Sequence, residues 1–139
     1  MSSENSKQRL MVHLAEKFLH DGVVSSRIEF SEKYLGMTYR YYTTQRIYNN
    51  DLTIKVSINF LTNVRKNLKK YKEINNSFAG IHDDIIKSLE YADEKLLEYI
   101  RSKFKILDII VEDNDDSNVI HHNDGFYGVI IWNLTEICA

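Results

Sequence analysis

Seven apolar side chains near the middle of the chain constrain its fold more than any other feature. Ile81, Ile85, Leu89, Ala92, Leu96, Ile100 and Phe104 recur at three- and four-residue intervals, the spacing that lines one face of an α-helix. Asp83 and Asp84 open this run and Arg101 and Lys103 close it, matching the helix dipole at both ends. The pattern predicts a long central helix with one face committed to a core. A shorter stripe of Leu10, Met11, Leu14, Ala15 and Phe18 predicts an N-terminal helix. Asn5 followed by Gln8 has capping-box spacing, and Gly22 after Asp21 supplies a stop.

Between these helices the period changes. From Leu52 to Phe60 the even positions are Leu52, Ile54, Val56, Ile58 and Phe60, and the odd ones are Thr53, Lys55, Ser57 and Asn59. Alternation with period two predicts a strand with one buried face. Asn49-Asn50 or Asn50-Asp51 offers a two-residue hairpin turn, because Asn and Asp tolerate positive φ. In that register Tyr39, Tyr41 and Ile47 join Ile54 and Phe60 in the core. The outer face then carries Arg40, Tyr42, Thr44, Arg46 and Tyr48 beside Lys55, Ser57 and Asn59. A three-residue loop would turn Arg40 and Arg46 inward at high cost, so it is rejected. Residues 27–34 read as a shorter strand with Ile28 and Phe30 on one face.

Residues 63–79 read as a short helix or a mobile connection. Val64, Leu68, Tyr71 and Phe78 permit a helix, but Arg65, Lys66, Lys69 and Lys70 would crowd its N-terminal end, where the macrodipole disfavours cations. After the long helix, residues 106–111 (ILDIIV) read as a buried strand and 112–118 (EDNDDSN) as a loop. A hairpin around Asn123-Asp124-Gly125 leads into a last strand, FYGVIIWNLTEI. That strand is apolar on both faces, so one face needs a cover from the domain or from a second subunit.

Composition narrows the class. A chain of 139 residues with 43% hydrophobic and 27% charged residues reads as one globular domain, 1–139, with a core that needs no staples. The net charge of −2 argues against a general nucleic-acid binder. The N-terminal MSSENSKQRL lacks the apolar segment of a signal peptide, and no stretch of about 18 apolar residues could span a membrane. With one cysteine, Cys138, there is no intramolecular disulfide. A reducing intracellular setting is the expectation.

No motif points to catalysis. There is no Gly-rich phosphate loop, nucleophile elbow or cysteine pair, so the expectation is a non-enzyme without cofactor or metal. His13, Glu16 and His20 share a stripe of the first helix and read as a solvated polar face rather than a metal site. Asp113, Asp115, Ser117 and Asp124 occupy calcium-loop positions, but Asn118 stands where such a loop has glycine. His121 and His122 are adjacent, and on a strand they would point to opposite faces. The segment RKNLKKYK (65–72) packs Arg65, Lys66, Lys69, Lys70 and Lys72 around a tyrosine. With Arg40, Tyr42, Arg46 and Tyr48 it forms the candidate interaction surface, suited to an acidic partner or a charge-matched neighbouring subunit.

The predicted architecture is therefore α+β: a mainly antiparallel sheet with an N-terminal helix and a long central helix packed on it. This order resembles that of tail-terminator, or tail-completion, proteins of long-tailed phages. The matching parts are NSKQRLMVHLAEKFL, the central strand DLTIKVSINF, the helix DDIIKSLEYADEKLLEYI, the acidic loop EDNDDSN and the closing strand GFYGVIIWNLTEI. The resemblance implies a homo-oligomeric ring that meets other structural proteins, in the host cytoplasm or in a virion, without catalysis. The insert around residues 63–79 departs from that pattern. The alternative of another class is a small acidic inhibitor, an immunity or phage anti-defence protein that binds one target enzyme.

Overall fold

The computed structural model describes residues 9–77, 80, 82–111 and 129–133. Helix α1 spans Leu10–His20. Helix α2 begins as Arg27–Glu29 and continues as a π-helical turn, Phe30–Tyr34. Helix α3 spans Tyr41–Tyr48, α4 Ile54–Ser77 and α5 Asp83–Phe104. Two strands complete the order, β1 Ile106–Val111 and β2 Val129–Asn133.

The architecture corrects the predicted mainly antiparallel α+β sheet. Residues 27–34, 41–48 and 54–60, all read as strands from the sequence, are helical, and the only sheet among the described residues is the β1–β2 pair. The long α5 and the N-terminal α1 lie where their stripes predict, with Met11, Leu14, Ala15 and Phe18 buried on α1. Gly22 does stop α1. It adopts φ 81, and Val23 N–H donates to Phe18 O at 2.8 Å, the longer bond of a Schellman cap. Asn5 and Gln8 lie outside the described residues.

Helix α4 explains why period two misleads. Between Val56 and Val64 it buries Val56, Ser57, Ile58, Phe60, Leu61, Thr62 and Val64, so even and odd positions are both interior. A helix buried on nearly every side has no polar stripe to betray its 3.6-residue period. Thr53, assigned to a polar strand face, instead receives Val56 N–H on its Oγ1 at 3.3 Å, satisfying an orphan donor of the first turn. Residues 63–77 are the C-terminal half of this same helix. Its basic residues are therefore mid-helix, and the dipole objection does not apply.

Asn49, a hairpin-turn candidate in the sequence, is a helix terminus. It takes φ 55, with its N–H on Arg46 O at 3.1 Å and Asn50 N–H on Gln45 O at 3.0 Å. The αL tolerance of Asn serves a hairpin turn and a Schellman cap alike.

Helices α4 and α5 run antiparallel, as paired side chains show: Asn75 meets Asp83, Lys72 meets Glu90, Arg65 meets Asp93, and Tyr99 reaches Leu52 O. Helices α1 and α2 cover α4 through an aromatic cluster of Phe18, Phe30, Tyr34 and Phe60, with ring centroids 5.1–6.4 Å apart. Such ring pairs contribute about 0.5–1.5 kcal/mol each beyond area burial. Strand β1 packs on α4 and α5 with Ile106 and Ile109 buried. The sheet is antiparallel, with Ile109 opposite Ile131 and Val111 opposite Val129, and a register irregularity between Ile106 and Asp108. The strands expected at 106–111 and in the closing segment are thus present, while the loop 112–118 and the turn at 123–125 lie outside the described residues.

Candidate interaction site

The eight candidate surface residues do not form one strip. Arg40, Arg46 and Tyr48 lie on or beside α3, whereas Arg65, Lys66, Lys69 and Lys70 lie at and beyond the middle of α4. Lys66 is twelve residues beyond the start of α4 at Ile54, roughly 18 Å along the axis. Tyr42 is not on the surface at all.

Arg65 is consumed by the fold. Its guanidinium grips Asp93 with two bonds, Nε to Oδ2 at 2.9 Å and Nη2 to Oδ1 at 3.1 Å. Its Nη1 donates to Asp108 Oδ1 at 3.0 Å and to the Ile109 carbonyl. Burial alone would lower its pKa, but the Asp93 and Asp108 carboxylates outweigh that and raise it. One side chain thus ties α4 to α5 and β1. Arg101 adds a second tie, with Nε on Leu107 O at 2.6 Å. Lys66, Lys69 and Lys70 are exposed. An open groove of about 330 Å³ runs past Arg65, Leu68, Lys69, Lys72, Glu73 and Asn76, all on α4, so it is a shelf along one helix.

Helix α3 differs in kind. Its one buried side chain is Tyr42, whose ring stands edge-on to Phe30 at 5.6 Å. Tyr42 N–H donates to Ser31 Oγ at 2.9 Å, and its hydroxyl reaches Glu16 Oε2 at 3.4 Å. Burial, and then the Glu16 carboxylate, raise the Tyr42 pKa. At the far end Arg9 Nε donates to Asn49 Oδ1 at 3.1 Å, and Arg9 Nη1 meets Asp51 Oδ1 at 2.6 Å. The helix is fastened at both ends along its inner side.

Among the described residues, little packs on the opposite side. At about 100° per residue, Ile47 and Arg40 fall within about 20° of one line on the side away from Tyr42. Tyr48 lies about 100° round from Ile47 on one flank, and Arg46, four residues after Tyr42, lies on the other flank about 40° from the Tyr42 line. Ile47 is 72% and Tyr48 71% exposed, and Tyr39 and Ile54 are half-exposed nearby in sequence. The register that placed Tyr39, Ile47 and Ile54 in the core is therefore wrong, and these three are surface residues that the sequence reading missed. No local signal marks Ile47 as exposed, because its placement depends on what the rest of α3 leans against.

The side chains of the α1 stripe are engaged with neighbours. His13 Nε2 is 2.8 Å from Tyr91 Oη, Arg27 binds Glu16 at 2.8 Å, and His20 Nδ1 is 2.9 Å from Asp21 Oδ1, so the three residues of the α1 stripe have separate partners. Among the described residues no group of three His, Cys, Asp or Glu has the geometry to hold a metal. The acidic segment 113–124, with His121 and His122, and Cys138 lie outside them. No described helix is long and apolar enough to cross a membrane.

A family model described as a family of unknown function, DUF6626, matches residues 11–106. The chain belongs to this family. In this DUF6626 protein the match runs from α1 to the first residue of β1, so it takes in the helical body, the Arg65 side of α4 and the whole of α3. No curated protein and no solved structure matches the chain. Of the segments that carried the resemblance to tail terminators, the central DLTIKVSINF is not a strand but the entry into α4.

Proposed function

We propose that this DUF6626 chain is a non-catalytic binding protein that docks a partner protein through the outer side of α3 and the turn into α4. The observation supporting this reading is the 72% and 71% exposure of Ile47 and Tyr48 on a helix fastened only along its other side. Fully burying such a side chain is worth about 1.5–3 kcal/mol, and interface centres are enriched in tyrosine and arginine. The face is also preorganised, with Tyr42 buried beneath it and Asn49 closing the helix, so little ordering cost accompanies docking.

The test places a photo-crosslinking side chain at Thr44, which is exposed on α3, and recovers the partner from cells that make the protein. The purified partner is then titrated calorimetrically against the native chain and an Ile47→Ser/Tyr48→Ser double variant. The expected result is a loss of about thirty-fold or more in affinity, the scale of a hot spot. Equal affinity for both chains overturns the reading. Light scattering on the protein alone separates the two forms of binding: a closed oligomer supports ring assembly, and a monomer supports docking of a single target.

A further inference from the structure

We infer that the surface docked by α3 is a carboxylate-bearing protein surface of a different chain, gripped by Arg40 and Arg46. This rests on the reading of α3 as the docking side and names what fits it. The chain has six arginines. Arg9, Arg27, Arg65 and Arg101 each donate to a carboxylate, an amide or a main-chain carbonyl. Among the described residues Arg40 and Arg46 have no such acceptor. Arg40 lies over the Tyr39 ring at 5.3 Å, and Arg46 has only the field of the Tyr42 hydroxyl. The two arginines without an acceptor are the two at α3.

The local sequence supplies none. Between Glu32 and Asp51 the chain carries Lys33, Arg40 and Arg46 and no carboxylate. Asp51 itself is bound by Arg9 and Lys103, and Glu16, beside Tyr42, is bound by Arg27. A partner that covers Ile47 also strips water from Arg40 on the same line, and one that extends over the adjoining flank strips it from Arg46 as well. An unpaired charge buried in this way is costly, so the partner must bring acceptors, and a carboxylate matches the guanidinium fork with two bonds. Arg40 and Arg46 bracket Thr43 in a row of three-residue steps, about 9 Å apart along the axis.

A second copy of this chain fits poorly. Set face to face, two α3 helices would oppose arginine to arginine. The exposed carboxylates of α5 are Asp83, Asp84, Glu90, Glu94 and Glu98; Asp83 accepts from Asn75, Glu90 pairs with Lys72 and Glu98 with Lys95. None of the large exposed apolar side chains of the described residues is on α5, so that stripe has no counterpart for Ile47 and Tyr48. Nucleic acid fits less well again. Two guanidinium groups fall short of the many phosphate contacts that sustain such binding, and the lysines of α4 lie elsewhere.

The experiment measures fluorescence anisotropy with three probes: an 18-residue helical peptide with two glutamates seven residues apart around leucine and phenylalanine, its glutamine counterpart, and a 12-nucleotide oligothymidine. The proteins are the native chain, Arg40→Gln/Arg46→Gln and Ile47→Ser, each checked for native circular dichroism. The glutamate peptide is expected to bind at least ten-fold tighter than its counterpart at low salt. That preference disappears in the arginine variant, and Ile47→Ser weakens both peptides. Equal binding of the two peptides, still weakened by Ile47→Ser, sinks the acidic partner while α3 survives as the docking side. Tighter binding of oligothymidine, lost in the arginine variant, reassigns the site to phosphate. An oligomer that dissolves on Arg40→Gln/Arg46→Gln reassigns it to a second copy. Absence of binding to every probe also overturns the inference, and if the recovered partner ignores Ile47→Ser/Tyr48→Ser, the docking role of α3 falls with it.

Discussion

Helix α4 buries side chains on nearly every side between Val56 and Val64, whereas α3, five residues upstream, buries Tyr42 alone. Both segments alternate in sequence, and both carry arginine. Arg65 of α4 closes on two carboxylates and a carbonyl, while Arg46 of α3 has no acceptor among the described residues. The contrast separates two uses of one residue type. Inside, arginine joins elements distant in sequence; outside, it is left available. It also locates the candidate site on the segment that the core needs least.

The largest test of this contrast is in the core. Phe60→Ala should cost about 3–5 kcal/mol, because the ring touches Phe18, Phe30 and Tyr34, whereas Ile47→Ser should stay within about 0.5 kcal/mol. Chemical denaturation measures both, and similar losses would erase the distinction between the helices. A sharper form uses charge: Ile58→Asp should abolish folding and Ile54→Asp should be tolerated, since Ile58 is 1% and Ile54 44% exposed.

Next comes the Arg65 tie. Arg65→Ala leaves Asp93 and Asp108 facing one another without a cation, and a loss of about 2 kcal/mol is expected, between an exposed and a fully buried pair. Hydrogen exchange should quicken first in β1 and least in α1. Arg46→Ala, by comparison, should leave the denaturation midpoint unchanged. If the two arginine variants are equally stable, Arg65 is not the tie that its geometry indicates.

Tyr42 distinguishes anchor from surface within α3. Tyr42→Phe should be nearly silent, because the bond to Glu16 is long at 3.4 Å. Tyr42→Ala should cost several kcal/mol, about the 3–5 of a buried aromatic ring, and should raise amide exchange along α3 selectively. Uniform exchange would mean that α3 does not depend on this one anchor.

The smallest effect concerns pH. The hydrogen bond from Lys103, with the charge of Arg9, holds the Asp51 carboxyl below its usual range against a partial burial that would raise it. Its folded pKa lies below the unfolded value near 3.9. The stabilisation is therefore complete above about pH 4 and fades as pH falls through the lower folded value. Asp51→Asn should lower Tm slightly at pH 7, and the difference from the native chain should close as pH falls below about 4, which flattens the variant's decline. A steeper decline in the variant would contradict the sign.

Part of the fold beyond the helix stripes is legible in local capping residues. Ser26 accepts Glu29 N–H at 3.0 Å, and Glu29 reaches back to Ser25 N–H at 2.7 Å, so SSRIE carries a capping signature inside a segment assigned to a strand. Thr53 three residues before Val56 is a similar clue. The candidate site was half legible: Arg40, Arg46 and Tyr48 are on the surface, but Tyr42 is buried, and Lys66, Lys69 and Lys70 sit elsewhere. Arg65 could not be read, since its carboxylates lie 28 and 43 residues away.

By itself the sequence determined α1, α5, the strand at 106–111 and the closing strand FYGVIIWNLTEI, of which Val129–Asn133 is described. The helices each pack one side on the core and leave the other to water, which imprints a period that local residues reveal. Only the tertiary structure decided α4, α3 and the exposed face. Helix α4 is enclosed by α1, α2, α5 and β1, so burial on nearly all sides removes the periodic contrast. The identity of the exposed side of α3 follows from where Tyr42 finds Phe30 and Ser31, a long-range contact that no local pattern records.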